Sequence, residues 1–176
     1  MKKNLFIWQI GGITFTAFLG TLLHFLYQWT SIKFLACFSA VNESTWEHMK
    51  LVFIPSFIFA ITQSFFAKKD YKDFWTIKMV GMLLGTFLIA IFFYTLTGCF
   101  GKLSAITNIA IFFVSVIISY LIELFLFKNT TGNGKLNVIS IIVLIVFLIL
   151  FVIFSFCPPK IPLFLDPVTN GYGITK

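Results

Sequence analysis

Apolar residues in this chain fall into five long runs, at about 5–29, 48–67, 75–98, 103–127 and 136–157, and charge is almost confined to the gaps between them. Each run is close to the roughly 20 residues that about 30 Å of hydrocarbon requires at ~1.5 Å per residue. The gaps are short and read as loops: Lys68-Lys69-Asp70-Tyr71-Lys72-Asp73, then Gly98-Cys99-Phe100-Gly101-Lys102, then a segment from Lys128 to Lys135. No water-soluble domain fits between them. The pattern predicts an all-α membrane fold: residues 1–176 form a single domain, a bundle of about five transmembrane helices closed by an irregular, Pro-rich C-terminal cap at 158–176. Ile32–Ala40 reads as an interfacial or re-entrant piece.

Within the runs, Gly81-x-x-x-Gly85 should let a second helix approach the third closely, and Gly11, Gly12 and Gly20 should do the same on the first. Pro55 should kink the second span and free a carbonyl. Gly20, Thr21, His24 and Gln28 share a helical stripe expected to face other helices. Glu123, the one acid inside the fourth span, reads as an interfacial anchor or a partner of Lys128. The fifth span shows no polar face and is expected to be the most lipid-exposed.

Composition agrees with the bilayer as solvent. The chain is 59% hydrophobic with 25 Phe and only 11% charged, and its mean hydropathy is +1.00. The net charge of +7 comes from Lys scattered over short polar segments, which argues against nucleic acid and for membrane edges. Counted on alternate sides, eight Lys (2, 3, 68, 69, 72, 78, 128, 135) oppose five (33, 50, 102, 160, 176). This places the chain in the cell membrane as a multi-pass protein, with the N-terminus cytoplasmic and the C-terminus extracytoplasmic. Met1-Lys2-Lys3 imitates a signal peptide, but the following run is too long and lacks a small-x-small site, so it is read as a retained first helix. Cys37, Cys99 and Cys157 have no metal-ligand spacing and leave room for one disulfide at most.

On this topology the unusual polar residues gather at one end: His24, the segment Asn42-Glu43-Ser44-Thr45-Trp46-Glu47-His48, and Asp166 in the tail. Both histidines and three of the six acids converge there, as expected of an outward-facing pocket. His24 and His48 are the candidate metal ligands and Glu43 and Glu47 the candidate catalytic carboxylates. Asn42, Ser44, Trp46, Asp166 and Tyr172 are candidate pocket or cap residues. Mixed His/carboxylate sets suit a divalent metal such as zinc. Simpler roles stand beside these. Ser44-x-x-Glu47 is a capping box, Glu47 has Lys50 three residues on as an ion-pair partner, His24 could donate a single hydrogen bond, and Asp166-Pro167 is a turn former. Treated as one helix, 43–50 puts Glu43 and Glu47 on the Lys50 face with His48 turned away, so one helix cannot present all three to one ion.

The motifs Asn42-Glu43-Ser44-Thr45-Trp46-Glu47-His48, His24-Phe25-x-Tyr27-x-Trp29, Pro158-Pro159-x-Ile161-Pro162-Leu163-Phe164-x-Asp166-Pro167 and Tyr172-Gly173-Ile174 together resemble an uncharacterised, domain-of-unknown-function family of small bacterial multi-pass membrane proteins. The resemblance implies a bacterial membrane protein and no particular activity. Three functions fit the residues. One is a metal-assisted membrane hydrolase or transferase acting on a lipid or peptide. The second is a binding or transport module for a small solute or ion, for which a five-span chain would need to homo-oligomerise. The third is a noncatalytic accessory or sensory protein. The lipid bilayer is the partner common to all three.

Overall fold

The computed structural model describes residues 4–174; Lys2, Lys3 and Lys176, used in the charge count, and the signal-peptide-like start lie outside the described residues. Five helices, each long and apolar enough to cross a membrane, follow in order: α1 (Leu5–Thr30), α2 (Thr45–Ala67), α3 (Phe74–Phe100), α4 (Ala105–Asn129) and α5 (Asn137–Phe156). A short 3-10 helix, Lys33–Cys37, lies in the α1–α2 connection and another, Pro162–Phe164, in the tail. The only β pairing among the described residues is one bridge, Leu165 with Tyr172.

Helices α1 to α4 pack in a ring, α1 on α2, α2 on α3, α3 on α4 and α4 back on α1, while α5 leans from outside on α3 and α2. α2 is the central element: 67% of its apolar window is buried, against 22% for α5. The end carrying residues 31–44 and the tail is here called the motif end.

Small residues set the helix spacing, because in lipid the apolar effect does not drive helices together and close packing must. A Cβ on Gly85 would stand 2.7 Å from the Ser119 Cβ, and Ser119 Oγ donates to the Gly81 carbonyl at 2.8 Å, so the Gly81/Gly85 pair seats α3 on α4. The buried face of α1 is Leu5, Gln9, Gly12, Thr16, Gly20 and Leu23, so the stripe expected through Thr21 and Gln28 is corrected: both are exposed. Gly20 lies against Phe112 and the Leu51 carbonyl, which has no i+4 donor because residue 55 is proline.

Polar residues also line the inside at the far end. Lys78 and Glu123, both fully buried, form an ion pair at 2.6 Å, with the ammonium 4.9 Å from the Tyr120 ring centroid. Glu123 therefore pairs with Lys78 and not with Lys128: their helices bring them together and burial removes any competing water. Tyr120 bonds Thr16 at 2.8 Å. Gln9 and Gln63 are buried at the same level, each four residues from the far end of its helix, as Lys78 is.

Candidate metal centre

The site is built by the connection between α1 and α2. Ser39 reaches into the last turns of α1, where its hydroxyl donates to the Leu23 carbonyl at 2.7 Å and accepts from the Tyr27 amide at 2.8 Å. A side chain inserted into a helical ladder bends it. Here the hydroxyl stands between the Leu23 carbonyl and the Tyr27 amide, on the turn that carries His24, and docks residues 39–41, with the Ala40 amide donating to the same Leu23 carbonyl.

Asn42 then makes a turn. Its Oδ1 accepts from the Ser44 amide at 2.9 Å while its Nδ2 donates to the Gly173 carbonyl at 2.8 Å, tying the motif to the tail. Gly173 holds φ +66° and crowds Pro158, which favours glycine there. Ser44 caps α2 by accepting from the Glu47 amide. The return half of the capping box is absent, because the Glu47 carboxylate accepts instead from the Val41 amide at 3.1 Å.

Because the helix starts only at Thr45, Glu43 lies outside it, and the helical placement of Glu43 beside Glu47 is corrected. Its carboxylate lies between the two imidazoles: Oε1 is 3.6 Å from His24 Nε2 and Oε2 is 3.6 Å from His48 Nε2. Donor atoms of His24, Glu43 and His48 all lie within 4.8 Å of one another, and no other group of three His, Cys, Asp or Glu converges in this way among the described residues. Three ligands at ~2.0–2.1 Å around tetrahedral zinc stand about 3.3 Å apart, so closure on an ion takes small side-chain shifts. His48 Nδ1 faces the Ser44 carbonyl at 2.9 Å, and donation there leaves Nε2 with its lone pair toward Glu43. Metal-bound histidines are commonly oriented this way. His24 Nδ1 is buried with no hydrogen-bond partner among the described residues.

The structure separates Glu47 from this group. Glu47 pairs with Lys50 at 2.5 Å and accepts from Ser155 Oγ at 2.7 Å; Lys50 donates to the Ala36 carbonyl at 3.0 Å and to the Ser155 oxygen at 2.7 Å. Carboxylate, ammonium and hydroxyl are thus mutually satisfied in a buried knot that joins α2, α5 and the 3-10 helix. Trp46 is buried against Phe151, Phe154 and Phe164. Asp166 accepts from the Val168 amide at 2.9 Å and the Thr169 hydroxyl at 2.7 Å, stabilising its own turn, and Tyr172 pairs across that turn with Leu165. The three cysteines are free.

Two cavities reach the His–Glu–His group. One, of about 670 Å³, runs from Glu43 and His48 between α3 and α4 to Lys102 and the tail. The other, of about 330 Å³, lies between α1 and α4 and includes His24 as well. Glu43, His48, Asn108 and Phe112 line both. Ser39, Ser155, Thr97 and Asn108 went unnoticed in the sequence, where single Ser, Thr and Asn in or beside apolar runs carry no pattern. No curated protein and no solved structure matches the chain. The family model of DUF6512, a family of unknown function, matches residues 1–174, and the chain belongs to that family.

Proposed function

We propose that this membrane protein is a metal-dependent hydrolase whose His24, Glu43 and His48 hold one divalent ion, such as zinc, at the outer membrane face. The observation that carries the reading is the convergence of three donors within 4.8 Å where two cavities meet. Three protein ligands leave a coordination position for water or substrate, and such an ion supplies a hydroxide near neutral pH and polarises the bond to be cut. Glu43 bridges the imidazoles and neutralises part of the ion's charge. Glu47 is a positioning residue, holding Val41 and the first turn of α2 through its knot with Lys50 and Ser155.

Purified protein should contain about one divalent ion per chain by elemental analysis. His24→Ala or His48→Ala should lower that content at least ~10-fold while the chain keeps its helical circular dichroism. Wild-type protein that carries no stoichiometric metal after reconstitution with zinc, manganese or iron overturns the reading. A second reading, binding or passage of a small polar solute or ion, is favoured by the far-end layer, in which both amide atoms of Gln9 and of Gln63 are buried without a hydrogen-bond partner among the described residues. A solute-dependent thermal shift that Gln63→Leu abolishes, in metal-free protein, would establish it instead.

A further inference from the structure

We infer that the substrate is a membrane amphiphile with an anionic phosphate-ester head, held with its head in the larger cavity under Lys102 and its hydrocarbon chain in the α1–α4 groove. The inference rests on the metal-hydrolase reading and deepens it.

The two cavities differ chemically but share a wall. In the larger one, Lys102 stands at the rim, and the Thr97 hydroxyl and Asn108 carbonyl oxygen are buried with no hydrogen-bond partner among the described residues. Buried polar atoms without partners cost free energy, so a polar head that supplies partners is favoured there. An ion of charge +2 liganded by one carboxylate retains a net positive charge, and Lys102 adds to it; the combination selects an anion.

In the smaller cavity, beyond the shared residues and the ligand His24, the walls are mostly apolar, with Phe25, Leu51, Ile109 and Phe113 around the exposed Thr21. The groove does not stop there. Thr21, Phe25 and Phe113 also line an adjoining surface groove with Phe18, Leu22 and Trp29, along the flank of α1. Phe18, Phe25, Trp29, Ile109 and Phe113 are exposed, and on a membrane-spanning helix that surface meets hydrocarbon. A chain can therefore enter sideways from the bilayer without crossing water. The metal ligands stand where groove and head cavity join, so the bond presented to the ion is one that links head to tail.

The reaction is hydrolysis. The oxygen of the metal-bound water bonds to phosphorus as the phosphorus–oxygen bond to the alcohol breaks. One water proton leaves on the alcohol oxygen and the other stays on the new phosphate hydroxyl. No further reactant is required.

The test uses the full-length protein, loaded with zinc, in dodecyl maltoside micelles. Three probes are offered: long-chain phosphatidylglycerol, chain-free glycerophosphoglycerol with the same phosphodiester, and uncharged monoolein. Products are read by mass spectrometry. The expected result is cleavage of phosphatidylglycerol with kcat/KM at least ~100-fold above the chain-free ester, and none of monoolein. Lys102→Glu should raise KM about 10-fold or more with metal content unchanged. Thr21→Trp, which fills the passage between the two grooves from an exposed position, should lower turnover of the lipid and not of the chain-free ester. Equal cleavage of both phosphodiesters overturns the tail groove, and cleavage of monoolein in preference to phosphatidylglycerol overturns the anionic head. Metal-loaded protein that turns over none of the three overturns the substrate class and leaves the metal stoichiometry, the test of the underlying reading, standing. Absence of bound metal sinks both.

Discussion

Lys78 and Glu123 are fully buried 45 residues apart in sequence, and neither has water to fall back on. Removing one partner strands the other charge, so Lys78→Met or Glu123→Leu alone should cost about 3–5 kcal/mol, while the double replacement recovers most of the loss. Denaturant unfolding in micelles measures all three; additive losses in the double variant would rule out the pairing. The Lys50–Glu47 pair, by contrast, could be read directly, since i,i+3 spacing on one helix brings the charges together without knowledge of the fold. The pairing of Lys78 could not be read in the same way, because the acid it meets belongs to another helix. His24, Glu43 and His48 were legible as a group at one end through the alternation of spans. Their contact was not, because it depends on the Asn42 turn and on Ser39 entering α1, features with no sequence period.

The five helices themselves were readable because length and uninterrupted apolarity are what a bilayer demands of a span. Their ends follow local chemistry: α2 starts at Thr45, three residues before the expected 48, because Ser44 caps it. Gly12, Gly20, Gly81 and Gly85 were readable as places of close approach, though which helix approaches was not, whereas Gly11 is exposed with its nearest neighbour, a Phe59 ring carbon, at 3.9 Å. Gly85 separates sharply from Gly98 on the same helix. A Cβ at 85 meets Ser119 and the Ser115 carbonyl, whereas one at 98 meets nothing within 4 Å. Gly85→Leu should therefore push α4 from α3 and cost about 1–3 kcal/mol. Gly98→Ala should be neutral or stabilise by up to about 1 kcal/mol through helix propensity. Equal unfolding midpoints for the two variants would contradict the α3–α4 packing. The fifth span carries more than its apolar sequence suggests, since Ser140 and Ser155 are buried on the face that it turns to the bundle.

Ring order, with α5 outside, could not be read from hydropathy, because every span is mainly apolar and neighbour choice rests on a few small and polar residues. Orientation in the bilayer rests on a lysine count, yet the chain carries its own probes for it. All three cysteines lie at the motif end: Cys37 in the connection, Cys99 in the last turn of α3 and Cys157 at the end of α5. Cys99 and Cys157 are free and exposed, and no cysteine lies in either far-end loop. If the motif end faces outward, a membrane-impermeant maleimide added to intact cells should label the wild-type chain. Cys99→Ser/Cys157→Ser should lose most of that label, and opening the membrane should add little. Labelling that appears only after the membrane is opened would turn the protein over. The His24–Glu43–His48 group would then face the inner leaflet, and the lipids within its reach would be those of the cytoplasmic side.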